Sequence, residues 1–345
     1  MRIPIKNLYY LLSYAWDKLN QADNMQVSQD DYNNSLDLLA RLFISGANRL
    51  LKKGLDKSYF EEADEYTGIK GKLVFNETLN RQLHKNGKTF CQFDTYTANV
   101  TKNQILKSTM RLLTKIPELD RELNSDAWAC FYRFSEIDDI TIEPDVYRSV
   151  SKERLSSSYK LLFDISQLLY EHASLNEESG KFTFKDFSRD HQALASLFEK
   201  FVFNFFKKEQ SKFIVRRENI SWEATPINNS DLSLLPNMQT DITLESNDNK
   251  IIIDTKFYKN ATSTYFSKES FNSSNLYQIY SYLNNLEKDK KNINNANCSG
   301  ILLYPTVDKE IDEQYQMGDH KIRLATVDLS KDWKIISQRL LSLVA

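Results

Sequence analysis

Residues 235–258 read LPNMQTDITLESNDNKIIIDTKFY, and among their Ile, Leu and Met positions stand Asp241, Asp254 and Lys256. Charged side chains are rarely buried in strands without a partner or a metal ion. Period-two alternation puts Met238, Thr240, Ile242 and Leu244 on one face of a first strand and Gln239, Asp241 and Thr243 on the other. In a second strand Ile252, Asp254 and Lys256 share a face, opposite Ile251, Ile253, Thr255 and Phe257. The polar run SNDN at 246–249 supplies the turn. If the hairpin pairs with its polar faces together, Asp241, Asp254 and Lys256 converge on one small patch.

Two carboxylates held close repel each other unless a divalent cation lies between them, and Mg²⁺ takes one or two carboxylates plus waters and phosphate oxygens. A lysine two positions along the strand can assist a bound water and stabilise charge on a phosphate. This is the chemistry of phosphodiester hydrolysis. D-x(12)-D-x-K is a weak pattern by itself, equally met by a surface salt bridge, but the nearly all-Ile strand around Asp254 argues against exposure.

Two helical stretches flank this hairpin. In LASLFEKFVFNFF, Glu199 shares an apolar helical face with Val202, Phe203 and Phe206, which makes it a further candidate metal ligand or a carboxylate at the helix margin. In NLYQIYSYL, Gln278 and Tyr282 lie four apart on one face, offering an amide and a hydroxyl to phosphate or water, although an amphipathic helix alone explains the spacing.

Working outward, 345 residues allow two domains, and 41% hydrophobic with 27% charged residues is the composition of a globular protein. Cys91, Cys130 and Cys298 form no C-x-x-C pair, which argues against a disulfide framework or zinc ribbon and fits a reducing cytoplasm. The N-terminal MRIPIKNLYYLLSYAWDKL has helical spacing at Leu8, Leu11, Leu12, Ala15 and Leu19, and is expected to be an amphipathic helix, not an export signal. No apolar run reaches membrane-span length.

The net charge of −2 hides asymmetry. Residues 118–145 hold nine acids and two bases, whereas residues 205–217 hold five bases and one acid. Lys207, Lys208, Lys212, Arg216 and Arg217 are therefore candidate phosphate contacts, or an ordinary solvated face.

The first half, 1–175, mixes helices (8–19, 36–52, 102–116, 153–172) with strand candidates KLVF and TFCQFDTY, an α+β order. The helix at 102 is expected to open with a capping box, Thr101-x-x-Gln104. HASLNEESGK reads as a linker into the second half, 176–345. There helices at 189–209, 275–286 and 331–344 alternate with strands, an α/β order around a mixed central sheet. QLHKNGKT resembles the end of a nucleotide-binding loop, but Gln82 stands where its first glycine is required, so Asn86-Gly87 is read as a turn. His84, His172, His191 and His320 make no metal-binding spacing, and there is no G-x-S-x-G or G-x-G-x-x-G motif.

Asp241 with Asp254-x-Lys256, preceded by Glu199 and followed by Gln278-x-x-x-Tyr282, resembles the PD-(D/E)xK nuclease superfamily in its RecB-like form. With IPIKNLYYLLSYAWD, GIKGKLVF, LPNMQTDITL, IIIDTKFY, NLYQIYSYL and GILLYP, spread from residue 3 to residue 305, the chain resembles the McrC family of McrBC modification-dependent restriction systems. Two departures stand out: Pro236 is not adjacent to Asp241, and the second acid is Asp. The resemblance implies an N-terminal domain, 1–175, that docks on a McrB-like AAA+ GTPase ring and stimulates it, and a PD-(D/E)xK endonuclease domain, 176–345. It further implies Mg²⁺ held by Asp241, Asp254 and the Thr255 backbone carbonyl, with Glu199 as a further candidate, and catalysis by Asp241, Asp254 and Lys256. Gln278, Tyr282, Lys207, Lys208, Arg216 and Arg217 would support double-stranded DNA. GTP, and the reading of methylated cytosine, would belong to the partner. A self-sufficient RecB-like repair nuclease and a non-catalytic DNA-binding adaptor are the alternatives.

Overall fold

The computed structural model describes residues 3–16, 34–151, 154–176, 181–227, 230–257, 262–265, 268–290, 292–306 and 310–345. The elements begin with α1 (Ile5–Ala15), α2 (Ser35–Lys53), β1 (Ser58–Thr67), β2 (Lys72–Leu73), α3 (Phe75–Asn80) and β3 (Lys88–Thr97). Helices α4 (Thr101–Thr114), α5 (Arg121–Arg133), α6 (Pro144–Ser151) and α7 (Ser157–His172) lead to strands β4 (Ala173–Asn176) and β5 (Lys181–Phe184). Then come α8 (His191–Glu209), β6 (Ile214–Arg216), β7 (Asn219–Ile220), β8 (Met238–Gln239), β9 (Ile242–Glu245) and β10 (Lys250–Thr255). The last are β11 (Thr262–Tyr265), β12 (Lys268–Phe271), α9 (Ser273–Lys288), β13 (Ser299–Thr306), β14 (Asp312–Met317), β15 (His320–Asp328) and α10 (Trp333–Ser342).

Compactness divides the chain differently from the expected 1–175 and 176–345: residues 36–185 form one unit, and α1 belongs with residues 186–345 in the other. The reason lies partly in HASLNEESGK. Its Ala173–Asn176 pairs antiparallel with Lys181–Phe184, so this stretch is a hairpin, not an open linker; its residues 177–180 lie outside the described ones. Phe182 N donates to Lys115 O at 3.2 Å and Lys185 N to His172 O at 2.8 Å, which fastens the hairpin to α4 and α7.

Within 36–185 the core is helical. Leu39, Phe43 and Ala47 of α2, Ile105, Leu106 and Met110 of α4, and Tyr159, Leu162 and Ile165 of α7 are buried. Gly46 lets α2 approach α7, because a Cβ there would stand 2.7 Å from Leu162 Cδ2. The expected capping box does not form: Val100 occupies the N-cap of α4 without a side-chain bond, and Gln104 Nε2 donates to Asn99 Oδ1 instead. Helix α5, unforeseen in the acidic stretch, is capped by Asp120, which accepts from Glu122 N and Leu123 N. Strands β1, β3 and β2 form a separate sheet in that order, and all ten residues of β1 are exposed. Of KLVF only Lys72–Leu73 is strand, since Phe75 opens α3. Gly87, at φ +68°, ends a short turn of helix, in keeping with the turn read at Asn86-Gly87.

The second unit is built on a six-stranded sheet, order β14-β15-β13-β10-β9-β6. Strands β10, β13 and β15 run parallel, while β9, β6 and β14 pair antiparallel, so the sheet is mixed. Helix α9 covers the face that carries Ile252 and Leu302, and Ile279, Leu283 and Leu286 pack into that core. Phe257, of the opposite parity, meets Phe198 of α8 at 6.0 Å between centroids. Helix α1 docks by its aromatic side: Tyr10 stacks on Trp333 of α10 at 4.5 Å, and Tyr14 meets Phe201 and Phe205 of α8. Asn7 Nδ2 donates to Leu329 O and Lys331 O, both at 2.8 Å. Leu19 lies outside the described residues. Among the described residues no helix is long and apolar enough to cross a membrane.

Candidate active site

Strand β10 is central and buried on both faces, and Asp254 lies at its carboxyl end with 0% exposure. The carboxyl ends of parallel strands are where open α/β sheets present ligand sites. Lys256 follows just beyond the strand, its N–H donating to Leu303 O of β13 at 2.9 Å. Its Nζ reaches Asp254 Oδ2 at 2.9 Å and donates to Gln278 Oε1 at 2.9 Å. Gln278 Nε2 in turn donates to Tyr282 Oη at 2.7 Å. The i, i+4 pair on α9 thus orients the lysine.

Asp241 arrives by a route that alternation does not foresee. Arg216 faces Thr243 and Asn219 faces Gln239, so Arg217 and Glu218 on one strand oppose Thr240, Asp241 and Ile242 on the other. This one-residue excess is a β-bulge, a device that re-aims a side chain. The strand is therefore not the continuous two-faced one expected from 238 to 244: β8 and β9 are separate, and Ile242 to Glu245 are all buried. From the bulge, Asp241 Oδ2 accepts from Thr255 N at 2.8 Å and from Thr255 Oγ1 at 2.9 Å. Continuing the β9–β10 register, in which Ile253 faces Ile242, sets Asp241 across from Asp254.

The electrostatics are those of two carboxylates held close together. Burial, then the charge of Asp241, pushes the Asp254 carboxyl up to about 7, and Lys256 offsets only part of this. Asp254 Oδ1 is buried with no hydrogen-bond donor among the described residues. Two carboxylates held close, one of them fully buried with an orphaned oxygen, suit a hard divalent cation.

Glu199 of α8 feels this pair: burial and then Asp241 raise its carboxyl above the usual range. Its bonding partner, however, is Arg217, whose Nη2 donates to Glu199 Oε1 at 2.5 Å. Among the described residues no three His, Cys, Asp or Glu side chains gather closely enough to hold a metal ion. Arg216 is likewise engaged by acids, Glu245 at 2.5 Å and Glu218 at 3.4 Å. Lys207, Lys208 and Lys212 are exposed. Lys207 and Lys208 lie beyond Glu199 by roughly 12 Å of helix rise.

The family model described as McrBC 5-methylcytosine restriction system component matches residues 5–305. The chain is 31% identical over 342 residues to the type IV methyl-directed restriction enzyme EcoKMcrBC of Escherichia coli K12, covering 99% of this chain and 97% of that protein. A solved structure, the refined half-complex from the tetradecameric assembly of Thermococcus gammatolerans McrB AAA+ hexamers with bound McrC, superposes with a TM-score of 0.57. It does so at 15% identity, over 99% of this chain and 76% of that one, a likeness of fold. With a family model spanning most of its length and a full-length relative above thirty per cent identity, the chain belongs to the McrBC 5-methylcytosine restriction system component family.

Proposed function

We propose that this chain is the Mg²⁺-dependent endonuclease subunit of a GTP-driven, methylcytosine-directed restriction complex, with a PD-(D/E)xK site in residues 186–345. The observation that carries the reading is the buried Asp254, its Oδ1 without a hydrogen-bond partner among the described residues, across from Asp241 and tied to Lys256. Asp241, Asp254 and the Thr255 carbonyl would hold the cation. When bound, Mg²⁺ supplies charge neutralisation and Lewis-acid polarisation of the phosphodiester. Thr255 orients Asp241 through two hydrogen bonds, so one carboxylate oxygen stays aimed while the other remains available. Lys256, 17% exposed, is held by Asp254 and Gln278 where it can stabilise charge developing on phosphate.

The partner is an AAA+ GTPase ring like the McrB hexamers of the Thermococcus complex. GTP belongs to that ring, and double-stranded DNA is the substrate. Residues 36–185 are the docking unit in this reading, supported by β1, an edge strand whose ten residues are all exposed, a surface of a kind that proteins usually cover. The test is cleavage of a methylated plasmid by the complex reconstituted with a McrB-like GTPase. Asp254→Asn and Lys256→Ala are expected to abolish Mg²⁺-dependent cutting while GTP turnover persists. Cutting by Asp254→Asn at the wild-type rate would remove this residue from the site.

A further inference from the structure

Lys250 is a charged residue with 0% exposure at the first position of β10, the end of the strand away from Asp254. Its Nζ donates to Glu218 Oε1 at 2.8 Å and to Asn295 Oδ1 at 2.6 Å. Asn295 is buried too, and its Nδ2 donates to Asp289 O at 2.9 Å. Glu218 Oε2 is buried with no hydrogen-bond partner among the described residues, so that side chain is anchored through Oε1, where Arg216 also reaches it at 3.4 Å. Stability alone does not explain such a cluster, because apolar residues of similar volume fill a core as well or better than a desolvated ion pair. Its place in the backbone does. Glu218 N donates to Thr240 Oγ1 at 2.9 Å and Thr240 N donates to Glu218 O at 2.9 Å, and Thr240 immediately precedes Asp241. Thr240 Oγ1 also lies 2.9 Å from Thr243 Oγ1, which closes the bulge from the other side.

We infer that Lys250 is a positioning residue for the carboxylate pair: through Glu218 its ammonium fixes the bulge from which Asp241 meets Thr255 and faces Asp254. The inference rests on the reading of that pair as the cation site. A bulged residue has lost its ladder partner, so its direction depends on what holds the neighbouring backbone. Lys250 acts at a distance, touching neither cation nor DNA. Loss of such support behind a ligand typically costs 10–100-fold in cation affinity.

The experiment titrates the full-length chain with Mn²⁺ in the absence of DNA, by calorimetry, and checks each variant for native circular dichroism. Wild type and Asp254→Asn set the upper and lower references. Lys250→Met, the neutral pair Lys250→Met with Glu218→Gln, and Thr240→Val are each expected to bind Mn²⁺ roughly 10–100-fold more weakly than wild type while folded. In the reconstituted complex they are expected to lower kcat and leave KM for DNA unchanged. Folded variants with lowered melting temperature but wild-type Mn²⁺ affinity would show Lys250 to be a packing residue and overturn the inference alone. A wild-type chain whose Mn²⁺ binding equals that of Asp254→Asn would overturn the cation site, and the inference with it. If Lys250→Met does not fold, the neutral pair and Thr240→Val decide by the same comparison.

Discussion

Asp254 carries a testable cost. Its carboxyl is raised to about 7 in the folded chain, against about 3.9 in an unfolded one, so between those values the native state holds the extra proton. Stability without cation is therefore fully present below about pH 4 and falls as pH rises toward 7. Asp254→Asn removes the ionisable group, and is expected to stabilise the cation-free chain at pH 8 by on the order of a few kcal/mol. The gain should vanish near pH 4, which thermal melts in EDTA at the two pH values would show; equal melting temperatures at pH 8 would contradict it. The Asp254-x-Lys256 spacing was legible because an acid in an Ile-rich strand is an anomaly. Lys250 was not, since a lysine after a polar turn reads as solvent-facing, and a one-residue bulge leaves no mark in composition.

At the scale of elements, α9 sets the lysine through its seating on β13. Gly300 permits that seating: a Cβ there would lie 2.8 Å from Ile279 Cγ1 and 3.1 Å from Leu283 Cδ1. Gly300→Ala is expected to destabilise by about 1–3 kcal/mol, and to lower cleavage by displacing Gln278, the neighbour of Ile279. Removing Ile279 Cγ1 with Ile279→Ala should make the double variant less destabilised than the sum of the two single ones; urea unfolding of the single and double variants measures the coupling, and strictly additive effects would deny the contact. Elements with one apolar face, such as α2, α4 and α8, were readable from periodicity. Strand β1, SYFEEADEYT, was not, because exposure along both faces leaves no alternation to read. Helix α5 was hidden by its acids, which looked like a solvated run although Asp120 caps it.

For the whole molecule, the division at 185 and the return of α1 to the second unit change which fragment should fold. Residues 36–185 keep the β4–β5 hairpin and the helical core together, whereas 1–175 cuts the hairpin and strips α1 of α8 and Trp333. The shorter piece is expected to unfold cooperatively at a higher temperature than 1–175, and to raise GTP turnover by the partner ring without cutting DNA. Calorimetry and a GTPase assay check the two halves of that statement, and a folded 36–185 that leaves turnover unchanged would locate docking elsewhere. The polar residues of HASLNEESGK read as a linker, whereas Ala173–Asn176 on one side of it pairs with Lys181–Phe184. Strand β1 has a last consequence, at the scale of many molecules. It is the outer strand of its sheet, and an open strand edge templates pairing with another chain. Glu61, Glu62, Asp64 and Glu65 crowd that strand with negative charge. Charge on an exposed edge opposes pairing with another chain, so replacing the four by Gln or Asn is expected to turn a clear solution into one that scatters light and binds thioflavin.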